Sequence, residues 1–276
     1  LIPHFDPGLV YGGAAGALAL AALVDAAGAA GGAPEGGSGP MRGKVVIVTG
    51  VGRRGQVGYA LAEAFLAAGA RVVVTDVRAE VEAHARELAA RGEVVGVAAD
   101  LATEEGAHRV VETARERFGR LDVLVNAAGG LGVAKPLAET TPDEWQRELD
   151  RNARTAYLVT RAALPLLRES RGAVINFASP AGVRARGGLA AYSAAKAAVV
   201  ALTRATAIEE RDHGVRVNAV APGMVDTEEN RAAVPDPSAV RWVMREQLAD
   251  VVLFLASDAA RGISGETIHV LGVGVE

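Results

Sequence analysis

Short β-branched runs alternating with longer stretches of helical periodicity predict an α/β protein: a single doubly wound parallel sheet with helices on both faces. Two observations carry that prediction. The runs Val45–Val48, Arg71–Thr75, Val94–Val97, Leu121–Val125, Ala173–Phe177, Val215–Val220 and Thr267–Leu271 are nearly continuous in apolar residues, as strands buried on both faces must be. Helical patterns fill the intervals, over 57–68, 79–91, 104–117, 142–168, 190–212 and 247–256. In the first, Val57, Leu61 and Phe65 are spaced four apart and form one stripe for a sheet. The fourth opens on Thr141-Pro142-Asp143-Glu144, a capping box with proline at the first helical position. No linker or internal repeat divides 41–276, which reads as one domain.

Composition narrows the function. The 276 residues include 33 Gly and no Cys, with 50% apolar and 22% charged residues and a net charge of −4. Without cysteine there is no disulfide, thiolate metal site or cysteine nucleophile. The five histidines are scattered without metal-ligand spacing, so no metal is expected. A pI near 5.8 argues against nucleic acid as the main ligand. A soluble, cytoplasmic protein is expected.

Residues 1–40 differ from the rest, with ten Gly, eleven Ala and no Lys or Arg. A secretory signal would begin with basic residues. The uncharged run Pro7–Val24 is 18 residues of mostly Gly and Ala, a poor membrane span. The stretch reads as a flexible leader, with Met41 the expected start of the folded domain.

In a doubly wound sheet, ligands bind at the carboxyl ends of the strands, where strand order reverses. After the first run come Gly50, Gly55 and Gly58, then a helix opening at Gln56-Val57, an arrangement that brings backbone N–H groups to a pyrophosphate. Asp76 ends the second run, 26 residues after Gly50. A carboxylate there accepts the ribose hydroxyls of adenosine and repels a 2′-phosphate, which favours NAD. Arg53, Arg54 and Arg78 lie close by and keep NADP open, because arginine forks receive phosphates. Asp100-Leu101 and Asn126-Ala127-Ala128-Gly129 end the third and fourth runs, small or polar steps suited to adenine and ribose.

Tyr192 and Lys196 are four apart in a helical stretch and share a face. A free phenol has a pKa of ~10, and a neighbouring ammonium together with a positive nicotinamide is expected to lower it. The phenol then exchanges a proton with a substrate oxygen as hydride is transferred. Ser179, thirteen residues before Tyr192, offers a hydroxyl to the same oxygen.

Together with Pro222-Gly223-Met224-Val225-Asp226-Thr227, these motifs resemble the short-chain dehydrogenase/reductase family in order and spacing, over about 41–276. The resemblance implies a Rossmann-like fold and an NAD(P)-dependent oxidoreductase acting on a secondary alcohol or ketone. It implies Tyr192 as acid/base, Ser179 and Lys196 in support, and Asn152 as the fourth catalytic residue, holding a relay water. It also has Lys196 hold the nicotinamide ribose, Val225 meet the carboxamide and Thr227 contact phosphate. A homo-oligomer, tetramer or dimer, and a small-molecule substrate are implied as partners.

Three departures stand out. The Gly50–Gly58 loop is longer than the family's commonest form. The segment from Thr227 to Ala249 is shorter than in many relatives, so a more open pocket is expected. Leu271-Gly272-Val273-Gly274 replaces the usual Asp-Gly-Gly. A silent dinucleotide-binding scaffold is the main alternative, and sugar-nucleotide dehydratase or epimerase chemistry ranks below it. Arg184 and Arg186 read as solvated loop arginines, with attraction of an anionic substrate as the alternative.

Overall fold

The computed structural model describes residues 39–272, so residues 1–38 of the leader and Val273-Gly274 lie outside the described residues. Seven strands form one parallel sheet: β1 (Val45–Thr49), β2 (Arg71–Asp76), β3 (Val94–Ala98), β4 (Val123–Asn126), β5 (Ala173–Phe177), β6 (Arg216–Pro222) and β7 (Thr267–Val270). Their order is β3-β2-β1-β4-β5-β6-β7, so the chain reverses direction across the sheet between β1 and β4. Val46 opposes Val72 on one side of β1 and Val123 on the other.

The period of two along the strands divides the core between two faces. Val46 and Val48 of β1 and Val72 and Val74 of β2 join one cluster. There they meet helices α1 (Val57–Ala67), α2 (Glu80–Leu88) and, further along the chain, α9 (Arg245–Ala256). Val45, Ile47 and Val73 point the other way, to α3 (Glu104–Phe118) and α5 (Thr155–Ser170). Phe65 of the predicted stripe is wholly buried, a burial worth about 2–3 kcal/mol.

The predicted helix 142–168 is interrupted. Helix α4 (Pro142–Leu149) begins at the expected capping box, in which Thr141 Oγ1 accepts from Glu144 N at 3.3 Å and Thr141 N donates to the Glu144 carboxylate at 2.8 Å. A π-helical turn over Asp150–Arg154 then separates it from α5. Periodicity does not reveal such a turn, because one extra residue per turn shifts the apolar stripe without ending it. Among the described residues three further α-helices occur: α6 (Pro180–Val183), α7 (Ala190–Glu209) and α8 (Glu228–Ala233). Among the described residues no helix is long and apolar enough to cross a membrane.

Candidate active site

The reversal between β1 and β4 opens a crevice at their carboxyl ends. Gly50 leaves β1 at φ +80°, and a β-carbon there would stand 2.9 Å from Ala128 Cα. The turn is held by Gly50 N and Val51 N donating to Thr75 O at 2.8 and 3.1 Å, and by Ala128 N donating to Thr49 Oγ1 at 2.8 Å. Gly58 lets the first turn of α1 close on the Gly50 carbonyl, which a β-carbon would approach to 2.3 Å. Gln56 is the N-cap of α1 but makes no side-chain cap bond, and Val57 begins a first turn without acidic residues. That helix end therefore suits an anion.

Asp76 lies against this loop. A β-carbon on Gly52 would come within 2.3 Å of its Oδ1, and Arg78 N donates to the same oxygen at 3.0 Å. The loop arginines have carboxylate partners: Arg53 with Glu229 at 2.7 Å and Arg54 with Glu87 at 3.9 Å. Arg245 Nη1 donates to Gly55 O at 2.7 Å. A half-buried carboxylate, a bare helix N-terminus and glycines packed without side chains together fit an adenine dinucleotide.

The third and fourth strand ends are more structural than their sequence reading. Asp100 Oδ1 accepts from Ala102 N at 2.9 Å, and Leu101 is buried in the core. The Asn126 amide is turned inward, donating to Thr160 Oγ1 at 2.9 Å and to Asn176 Oδ1 at 2.8 Å. Ala127 follows it, partly buried. Past β6, Gly223 N donates to Val270 O at 2.8 Å, and Val225 pairs with Val243. Thr227 caps α8 through Oγ1, which accepts from Asn230 N at 3.2 Å. A cleft of about 420 Å³ brings Thr227 and Asp226 opposite Gly55 and Gln56. Pro222 is the last residue of β6 rather than part of the following turn.

Asn152, Ser179, Tyr192 and Lys196 converge beside the crevice. Ser179 follows β5 and caps α6, accepting from Ala181 N at 3.2 Å. Its hydroxyl neighbours the Tyr192 phenol and works against the rise in that phenol's pKa. Lys196, 4% exposed, donates from Nζ to Phe177 O at 2.7 Å and sits 5.9 Å from the centre of the Tyr192 ring. Burial lowers the Lys196 ammonium to about 8, while Glu148 opposes that shift. Asn152, in the π-turn, receives Gly130 N on Oδ1 at 3.0 Å and donates from Nδ2 to Gly130 O at 3.1 Å. A β-carbon on Gly129 would stand 2.6 Å from Asn152 Oδ1 and 3.5 Å from Lys196 Nζ, so the space between those groups is kept by a glycine.

Without the cofactor's charge, the chain's own groups act in the opposite direction to the expected lowering. The Tyr192 phenol is raised above its ordinary value, not lowered: burial raises it most, the Ser179 hydroxyl works against that, and Glu148 adds to the rise. The Lys196 ammonium is engaged by the Phe177 carbonyl, and desolvation dominates. Glu148 is also the residue that sequence reading missed. It is 1% exposed and accepts from Asn152 Nδ2 at 3.2 Å. Its position four residues before Asn152, in line with Ala156, was the available signal.

A parallel sheet with a glycine turn, an acidic strand end and a Ser/Tyr/Lys/Asn cluster at its switch point defines a dinucleotide-binding α/β protein. Residues 50–272 match the family described as Enoyl-(Acyl carrier protein) reductase. The chain is 38% identical over 248 residues to a (5R,7aS)-5-hydroxy-7a-methyl-1-oxo-2,3,5,6,7,7a-hexahydro-1H-indene-carboxyl-CoA reductase of Mycobacterium tuberculosis, covering 85% of this chain and 94% of that one. It is 38% identical to the L-fucose dehydrogenase of Bos taurus, with 79% and 84% covered. A 3-oxoacyl-[acyl-carrier-protein] reductase of Synechocystis is 37% identical, with 83% and 96% covered. A crystal structure described as a short-chain dehydrogenase/reductase from Burkholderia xenovorans matches with a TM-score of 0.75 at 31% identity, covering 85% of this chain and 97% of that one. The chain belongs to the short-chain dehydrogenase/reductase family and is an NAD(P)-dependent oxidoreductase.

Proposed function

We propose that residues 41–276 form one catalytic domain that moves a hydride between NAD and a secondary alcohol or its ketone, with Tyr192 as general acid/base. The observation that carries this reading is Lys196, buried with its Nζ 5.9 Å from the centre of the Tyr192 ring. When bound, the nicotinamide supplies or accepts the hydride. Tyr192, whose raised pKa keeps it a phenol at neutral pH, donates its proton to the carbonyl oxygen in reduction. Ser179 donates a hydrogen bond to that oxygen and stabilises the charge growing on it. Lys196 holds positive charge beside the phenol, and Asn152, whose Oδ1 lies with Lys196 Nζ beside Gly129, would hold a water that relays protons to Lys196.

Gly50, Gly55, Gln56, Val57 and Gly58 would meet the pyrophosphate, and Asp76 the adenosine ribose. Asp100, Leu101, Asn126, Ala127 and Gly129 would line adenine and ribose, and Pro222, Gly223, Val225 and Thr227 the nicotinamide end. The preference for NAD is supported by Asp76 and by the pairing of Arg53 with Glu229. A homo-oligomer, tetramer or dimer, is the assembly the family resemblance supports, and the cytoplasm is the location the composition favours. The named relatives span a sugar, an acyl carrier protein thioester and a coenzyme A derivative, so the substrate stays at the level of alcohol or ketone.

The test is Tyr192→Phe, assayed by NADH absorbance against a panel of ketones and alcohols. Turnover should fall by about 10²–10⁴-fold, with NADH binding retained. Full activity in the variant would discard Tyr192 as the acid/base. Clear NAD binding with no turnover of any substrate by the unaltered chain would favour the scaffold reading.

A further inference from the structure

Glu148 is a carboxylate sealed into the catalytic end of the molecule, 1% exposed near the end of α4. An ionised carboxylate taken out of water costs several kcal/mol unless its surroundings need it. Asn152 does not need it. The two Nδ2 hydrogens already have backbone acceptors, Gly130 O and Glu148 O, both at 3.1 Å, beside the carboxylate at 3.2 Å. What the carboxylate faces is charge. Lys196 and Tyr192 approach from α7, and both feel it. Arg151 approaches from the π-turn: its Nη1 and Glu148 Oε1 both lie over Gly132, where a β-carbon would stand 2.3 Å from each. Glu148 accepts from Asn152, Asn152 Oδ1 and Lys196 Nζ both lie close beside Gly129, and Lys196 sits against the Tyr192 ring, so these groups follow one another in space.

Building on the proposed role of Tyr192, we propose that Glu148 is a positioning residue that acts through Lys196 and Tyr192, holding the lysine as an ammonium and the tyrosine as a neutral phenol. Both protons are then in place before reaction, which biases the site towards donating a proton to a carbonyl oxygen. The direction of each effect follows from Coulomb's law. A negative charge stabilises the ammonium against burial and disfavours a second negative charge on the phenol.

The chain has only three lysines, Lys44, Lys135 and Lys196, so ¹³Cε-lysine NMR follows Lys196 directly in the cofactor-free protein. In Glu148→Gln the Lys196 midpoint should fall by about one pH unit. The alkaline limb of kcat/KM for carbonyl reduction should move to lower pH by a similar amount. An unmoved Lys196 midpoint in the folded variant would overturn the proposal, even if activity fell, because a purely structural role predicts that pattern. If the glutamine variant does not fold, Glu148→Met, similar in volume and without polar atoms, is read in the same way. Failure of the underlying reading looks different: the unaltered chain would turn over no carbonyl substrate while the Lys196 midpoint still responded to Glu148.

Discussion

Gly52 lies directly beneath Asp76: a β-carbon at residue 52 would stand 2.3 Å from Asp76 Oδ1 and 2.6 Å from Oδ2. The carboxylate keeps its place over the glycine turn only because residue 52 carries no side chain. Gly52→Ala should push the carboxylate aside. The group displaced is the end of a rotatable side chain, so stability should change by less than about 1 kcal/mol. NAD affinity, followed by fluorescence titration, should fall about tenfold, the loss of one charge-assisted hydrogen bond. Unchanged affinity would remove Asp76 from the ribose site. Asp76→Ser should narrow the NAD-over-NADP ratio of kcat/KM.

Lys196 makes stability depend on pH. Its folded value is lowered to about 8 by burial, against ~10.4 in an unfolded chain. Between those values the unfolded state binds more protons, so this group makes the cofactor-free protein more stable as pH rises from about 8 to ~10. The span corresponds to about 3 kcal/mol, a penalty fully present below pH 8. Lys196→Met removes that dependence. Urea unfolding at neutral and alkaline pH should show the variant gaining on the unaltered protein at neutral pH and losing that advantage at alkaline pH. A constant difference across the range would mean that the lysine is not buried as an ammonium.

Arg216 ties β6 to the end of α9. Its guanidinium donates to Leu255 O at 2.6 Å, Ser257 O at 3.1 Å, and Ala256 O and Ala260 O at 3.3 Å. These include carbonyls at the carboxyl end of α9, which a cation there also favours electrostatically. A lysine has no planar fork with which to reach four carbonyls. Arg216→Lys should lower unfolding free energy by about 2 kcal/mol with the denaturant m-value unchanged. Because Arg216 starts its strand, at the end away from the crevice, NADH binding should be retained below the transition.

The capping box of α4 predicts a smaller effect. Thr141→Ala removes the acceptor for Glu144 N and should cost about 1 kcal/mol, read as a shift in thermal midpoint. The Glu144 carboxyl is held down to about 2, first by the hydrogen bond from Lys135 and then by the Thr141 backbone N–H. Its contribution is present at neutral pH and is lost as pH falls from the ordinary carboxylate range through about 2. A Thr141→Ala protein as stable as the original would show that the cap is idle.

Much of the architecture is legible in the linear sequence because it is recorded by local rules. Apolar runs mark the strands, stripes spaced by three and four mark the helices, and Thr141-Pro142 marks a helix start at the residue. Asp76 falls at its strand end as the run length requires. The alternation of strands with helices also dictates that the sheet is parallel.

Where chemistry-bearing side chains point is another matter. Asn126 and Asp76 both end strands, yet the Asn126 amide turns into a buried network with Asn176 while the Asp76 carboxylate stands over Gly52. Arg53 reads as a phosphate receptor until Glu229, 176 residues away, is found 2.7 Å from it. The π-turn that carries Asn152, bonded to the buried Glu148, leaves no mark on periodicity, since it only rotates the following stripe. Elements and their order therefore belong to the sequence, where short-range sterics and hydrophobic spacing act. The charge states of Tyr192 and Lys196 belong to the tertiary structure, because desolvation and Coulomb coupling depend on neighbours that only folding brings together.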